Sequence, residues 1–184
     1  MAMAKSALLV QVKYDESPRA VLNVLNDIVM RTAPKRTLMT FFFGLLDPSS
    51  QTLRFSSAGH LDPYVFRVRD RRIEALSSWG FPLGVRRREP FREHAVDFEP
   101  GDRLILYSDG LIEAIDDDGD PYGFERFENT ILENGHLSAE EIKKTLLSAI
   151  RKFTRNRPPE DDQTLVVVSF DEALARRASV RQPA

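Results

Sequence analysis

The groups best placed to do chemistry are carboxylates at two strand-like ends. Ser-Asp-Gly at 108–110 closes the apolar run 103–108, and Asp161-Asp162 stands just before the apolar run 164–170. Short apolar runs bounded by turn residues read as buried strands. If the two runs are antiparallel neighbours, Asp109 at the end of one and Asp161 and Asp162 at the start of the other share one sheet edge. Carboxylates held together repel one another, and a divalent cation removes that repulsion. Oxygen ligands without thiolate suit Mg²⁺, Mn²⁺ or Ca²⁺. The chain has no cysteine and only three histidines, at positions 60, 94 and 136, none with a partner at metal-ligand spacing. The alternative is that these acids merely flank strands as solvated punctuation.

A denser acidic run, Asp116, Asp117, Asp118 and Asp120, invites comparison with a calcium loop. Asp116, Asp118, Gly119 and Glu125 would occupy the third, fifth, sixth and twelfth loop positions. The first would be Ala114, however, and Pro121 falls inside the loop, so the run reads as an acidic surface turn. His60 follows a glycine after a strand and reads as a turn residue. Arg67, Arg69, Arg71, Arg72, Arg86, Arg87 and Arg88 lie close in sequence. They are either solvated hairpin tips or a docking surface for an acidic or phosphorylated partner, since guanidinium pairs with phosphate in bidentate fashion.

The elements that would position these groups follow from patterning. Residues 1–13 read as a helix that starts with no N-cap signal in front of it. Ser17 and Pro18 then open a second helix, with Val21, Leu25, Ile28 and Val29 on one face and Pro34 at its end. The run 38–47 reads as a buried strand, 47–50 as a turn, and 52–59 as an alternating strand. Two hairpin arms turn near Asp70, another strand covers 91–98, and Glu99-Pro100-Gly101-Asp102 has the order of a type II turn. Ser138 and Glu141 form a capping box ahead of a helix with Ile142, Leu146, Ile150 and Phe153 on one face. Residues 164–170 form a last buried strand. Hairpin connections make the sheets mostly antiparallel, so the class is α+β, a β-sandwich with helices outside.

The composition fits one globular domain: 184 residues, 42% hydrophobic, 29% charged, net charge -2. No basic bias points to nucleic acid or an anionic membrane. No apolar run is long enough to span a bilayer, and the start does not read as a signal peptide, so a cytoplasmic location is expected.

Four motifs, "SSAGHLDP", "PLG", "PGDRLILYSDG" and "DDQT", occur in a set order. In that order they resemble the SpoIIE/RsbU branch of the PPM-type (PP2C-like) protein phosphatases, over roughly residues 1–170. The resemblance implies two packed antiparallel sheets flanked by α-helices, with a domain over 1–171 and a flexible tail over 172–184. It implies hydrolysis of phosphoserine or phosphothreonine on a protein, with two Mn²⁺ or Mg²⁺ ions activating a water and clamping the phosphoryl oxygens. Asp109 matches the metal-binding Asp of the family's Asp-Gly motif, with Gly110 beside it counted in the site. Asp161 matches the metal-binding Asp before the last strand, and Asp162 is its neighbour. The implied partner is a phosphorylated, anti-anti-sigma-like protein.

One family feature is missing. Members carry an early G-D-x-S-G-H-G-like motif whose Asp bridges both metals, just upstream of a helix resembling "MAMAKSALLVQ". The expectation is that the chain is the C-terminal part of a longer phosphatase, testable by an in-frame motif upstream of Met1. A phosphatase-like binding module without turnover is the alternative. A strand removed from the sheet would leave an edge open to dimerisation or aggregation.

Overall fold

The computed structural model describes residues 2–32, 38–87 and 90–170, with side chains described from Ala4 onward. In chain order it contains α1 (Ala2–Gln11), α2 (Pro18–Thr32), β1 (Phe41–Asp47), β2 (Thr52–Ala58), β3 (Tyr64–Arg67) and β4 (Arg72–Ala75). There follow β5 (His94–Asp97), β6 (Arg103–Tyr107), α3 (Asp109–Ile112), α4 (Gly123–Asn134), α5 (Ala139–Phe153) and β7 (Leu165–Ser169). The expected α+β class holds: two antiparallel sheets, ordered β1-β2-β5 and β4-β3-β6-β7, with helices alongside. They belong to two units, one holding residues up to His60 with Ser77–Phe98, the other Leu61–Leu76 with the chain from Glu99. Pro34, Arg88 and the expected tail, 172–184, lie outside the described residues.

In the first unit α2 supplies the apolar face. Val21, Leu22, Leu25 and Val29 are buried with Ala58, Leu83 and Phe91. Ile28, expected on that face, is only half-buried. The buried Asn26 sits among these groups because both ends of its amide are used. Its Nδ2 donates to the Arg86 carbonyl at 2.8 Å, and its Oδ1 accepts from Gly84 N at 2.9 Å. The hairpin β1–β2 turns where expected: Asp47 Oδ1 accepts from Ser49 N and Oγ at 2.8 and 2.6 Å.

The aromatic run of β1 was expected to be buried. It lies instead at the edge of its sheet, pairing among the described residues with β2 alone and half-exposed along its length. β7 differs from expectation in the same way, pairing only with β6, and its Val166 is 47% exposed. Apolar composition marks a strand but does not say whether a second neighbour covers it.

In the second unit β3 and β6 are the inner strands, and the residues of β6 are almost all buried. The turn that feeds it has the expected type II form, with Gly101 at φ 98° and Asp102 N donating to the Glu99 carbonyl at 3.0 Å. Asp102 is itself 1% exposed. It is held by Arg67 Nη1 at 2.8 Å and by the amides of Val68 and Glu99 at 3.2 and 3.1 Å. Arg67, read from sequence as one of a basic cluster, is therefore the cation of a buried pair, also touching Glu74 at 3.0 Å. Arg72 pairs with Asp70 and Glu74, both at 3.5 Å.

α5 starts at the capping box: Glu141 N donates to Ser138 Oγ at 3.3 Å and Ser138 N to Glu141 Oε2 at 3.0 Å. Ile142, Leu146 and Ile150 are buried against Tyr64, Tyr107 and Phe127, each contributing roughly 1.5–3 kcal/mol of burial. Phe153 stays half-buried, packed edge-on against Tyr122 at 5.4 Å. α3 and α4 were not foreseen. α4 buries Phe127 and Ile131 and exposes Phe124; it starts at Gly123 behind Tyr122, which makes no side-chain cap bond, so no start signal marks it.

Candidate functional site

β6 and β7 are antiparallel neighbours, with Tyr107 opposite Leu165 as their last pair. This meets the condition set by the sequence: the end of β6 and the start of β7 share one edge of the sheet. Beyond the last pair, side chains continue the junction. Ser108 N donates to the Thr164 carbonyl at 3.1 Å, and Thr164 N donates back to Ser108 Oγ at 2.9 Å. Ser108 Oγ also donates to the Asp162 carbonyl at 3.0 Å, while Gln163 Nε2 donates to the Gly110 carbonyl at 3.0 Å.

These bonds draw the backbone at 161–162 onto Gly110. A Cβ at Gly110 would lie 2.6 Å from the Asp162 carbonyl oxygen and 3.4 Å from that of Asp161. No side chain fits there, so glycine at this position is what lets Asp109 and the Asp161-Asp162 pair stand on adjoining strand ends. Asp109 begins the single turn α3 and is exposed. Its Oδ1 accepts from Gly110 N at 3.0 Å. Asp161 and Asp162 are exposed too, with Asp161 Oδ1 accepting from Asp162 N at 2.7 Å. The carboxylates of Asp109 and Asp161 are thus each oriented by a local amide and keep oxygen lone pairs toward solvent.

Ser108 and Gln163 were not singled out from sequence. Their signal is the pairing of a hydroxyl and an amide one residue inside each acidic end, which becomes visible only once the two strands are known to be neighbours.

The donor set is all oxygen, which suits Mg²⁺ or Mn²⁺ in kind. In number it falls short: among the described residues no group of three or more His, Asp or Glu side chains is assembled closely enough to hold an ion. Asp109, Asp161 and Asp162 stand exposed at the adjoining ends of the two strands.

The run 116–120 is a turn. Ile115 and Pro121 form a bridge, and Gly119 takes φ 87°. Asp116 Oδ1 accepts from the amides of Asp118 and Asp120, both at 3.0 Å. Asp117 pairs with Arg155 at 2.7 Å. The carboxylate most central to the turn is spent on its own backbone, so the loop is structural. His60 Nδ1 lies 3.3 Å from Thr40 Oγ1, and His94 stacks on Phe55 at 5.4 Å between centroids.

A cleft of about 320 Å³ opens beside Gly110 and Asp161 and continues to Arg151, Asn156 and Arg157. It connects the carboxylate edge with the C-terminal end of α5.

Comparison with known proteins agrees with this geometry. The family model for stage II sporulation protein E (SpoIIE) matches residues 1–171. The phosphoserine phosphatase RsbU of Bacillus subtilis is 26% identical over 170 residues, covering 91% of this chain and 50% of that protein. The chain thus spans about half the length of that relative. The SiaA-PP2C domain of Pseudomonas aeruginosa superposes with a TM-score of 0.78 at 20% identity, over 92% of this chain and 67% of that one. The phosphatase domain of the cell-fate determinant SpoIIE from Bacillus subtilis gives 0.65 at 20% identity, over 98% and 77%. At these identities the structures establish a shared fold.

Proposed function

Because the chain belongs to the SpoIIE family, within the PPM-type (PP2C-like) protein phosphatases, we propose that it serves metal-dependent hydrolysis of phosphoserine or phosphothreonine on a regulatory protein in the cytoplasm. The observation that carries the proposal is the welded β6–β7 junction, which sets Asp109 and Asp161 on one edge with a cleft beside them. Asp109 and Asp161 would hold Mn²⁺ or Mg²⁺, with Asp162 as an adjacent ligand. When bound, the cation supplies a water of lowered pKa and neutralises phosphoryl oxygens. Gly110, Ser108 and Gln163 keep the two carboxylates in register. An anti-anti-sigma-like phosphoprotein is the substrate class we assign.

The test is phosphate release from a phosphoserine peptide in the presence of Mn²⁺. Asp109→Asn or Asp161→Asn should lower turnover by more than about a hundredfold, beyond the loss typical of an outer-shell contact. Full activity in both variants would refute the assignment.

A second reading is a binding module without turnover, since among the described residues no three His, Asp or Glu side chains are assembled closely enough to hold an ion. Wild-type protein that binds a phosphopeptide yet releases no phosphate under any divalent metal would favour it.

A further inference from the structure

Two clefts meet at the C-terminal end of α5 and share Arg151 and Asn156. The first is the one beside Asp161. The second, about 380 Å³, is bounded by Lys144, Leu147, Ser148 and Lys152 along the outer face of the helix. The lining of this second cleft carries three cations and no carboxylate.

Nearby cations differ in how they are engaged. Arg155 and Arg157 are committed to Asp117, at 2.7 and 3.7 Å. Arg151 and Lys152 are exposed and have no ion-pair partner among the described residues. Lys144 is 71% exposed and only 3.7 Å from Glu140, a pair contributing at most about 1 kcal/mol. The helix dipole favours cations in a last turn, which accounts for Arg151 and Lys152 singly. It does not account for Lys144, more than a turn earlier, or for the continuous cleft.

The segment leaving the helix is held in place. Arg155 and Asn156 take φ of 50° and 62°, and Asn156 N donates to the Arg151 carbonyl at 2.8 Å. Two consecutive left-handed non-glycine residues are uncommon, and here they set Asn156 at the junction of the two clefts.

We propose that this track docks an acidic segment of a protein partner. The segment's phosphorylated residue would lie at the Asp109–Asp161 end, with its carboxylates on Arg151, Lys152 and Lys144. Lys144 and Arg151 are about 10 Å apart along the helix at its usual rise, the reach of roughly three extended residues. The acidic residues of the partner therefore fall within a stretch of that length. A nucleic acid fits less well, because no aromatic side chain lines either cleft for base stacking. The proposal rests on Asp109 and Asp161 marking the reaction site, and its test reads binding alone, so it stands or falls separately from turnover.

The experiment is fluorescence anisotropy with the full chain and a labelled peptide carrying three closely spaced glutamates. A matched peptide with glutamines in their place is the control. The glutamate peptide should bind with a salt-sensitive affinity and the glutamine peptide roughly tenfold more weakly. The Arg151→Glu/Lys152→Glu double variant should lose about tenfold in affinity for the glutamate peptide. Arg69→Glu/Arg71→Glu, on the exposed β3–β4 turn, should change it less than about twofold. Should the charge reversals unfold the protein, Arg151→Gln/Lys152→Gln serves in their place. Equal binding of the two peptides, or undiminished binding by the α5 variants, would overturn the proposal. So would tighter binding of a single-stranded oligonucleotide of equal charge with the same sensitivity to the α5 variants.

Discussion

Substitution of Gly110 by alanine isolates the close approach that builds the site. The added Cβ would sit 2.6 Å from the Asp162 carbonyl oxygen and 3.1 Å from its carbonyl carbon. Both are backbone atoms, so no side-chain rotation relieves the clash. The β7 entry must move away, and the Ser108–Asp162 and Gln163–Gly110 hydrogen bonds, each 3.0 Å, go with it. Two such bonds contribute about 0.5–1.5 kcal/mol each, and overpacking adds about 1–3 kcal/mol. Alanine recovers at most about 1 kcal/mol of propensity in the helical turn that Gly110 occupies. The net loss is about 1–6 kcal/mol, a fall in Tm of at least roughly 2 °C for a chain of this size. Thermal melting followed by circular dichroism measures the shift. Titration with Mn²⁺ by calorimetry, below the melting range, measures the site separately and should show weakened binding. A Gly110→Ala protein melting within about a degree of wild type would show that the junction is not held as described, since the smallest combination of these losses exceeds that shift.

Three further outcomes follow from the fold. Asp102→Ala leaves Arg67 its Glu74 partner but takes the acceptor from the amides of Val68 and Glu99, and should cost about 1–3 kcal/mol, read from urea unfolding. Burial and the 2.6 Å bond to Glu128 raise the Tyr64 pKa above its ordinary 10.0, and burial raises that of Tyr107 likewise. The folded state then keeps protons that the unfolded chain releases, so stability should hold below about pH 10 and fall as pH rises above it. Tyr64→Phe should flatten that fall, checked by unfolding midpoints across the alkaline range. The outer edge of β1, unpaired among the described residues, should pair with a second copy at high protein concentration, and a clean monomer by light scattering would count against it.

Much of the local structure was legible in the chain. Ser138 and Glu141 announced α5, Glu99-Pro100-Gly101 announced its turn, and Asp47 its hairpin, because each satisfies backbone groups a few residues away. Asp109 and Asp161 were legible as strand-end acids for the same reason. α4 was not, since Tyr122 at its N-cap makes no side-chain cap bond and so leaves no start signal in the sequence. Arg67 looked like one more surface arginine until its partner, Asp102, 35 residues along the chain, came to lie beside it.

The sequence by itself therefore determined the turns, the capped helices, the apolar strands and the family, all of which depend on short-range chemistry or motif order. Only the tertiary structure decided which strands sit at an edge, which arginines are buried, and why Gly110 has no side chain. Those outcomes depend on which backbone arrives from far along the chain: the carbonyl of Asp162 reaches Gly110 only because β6 and β7 pair.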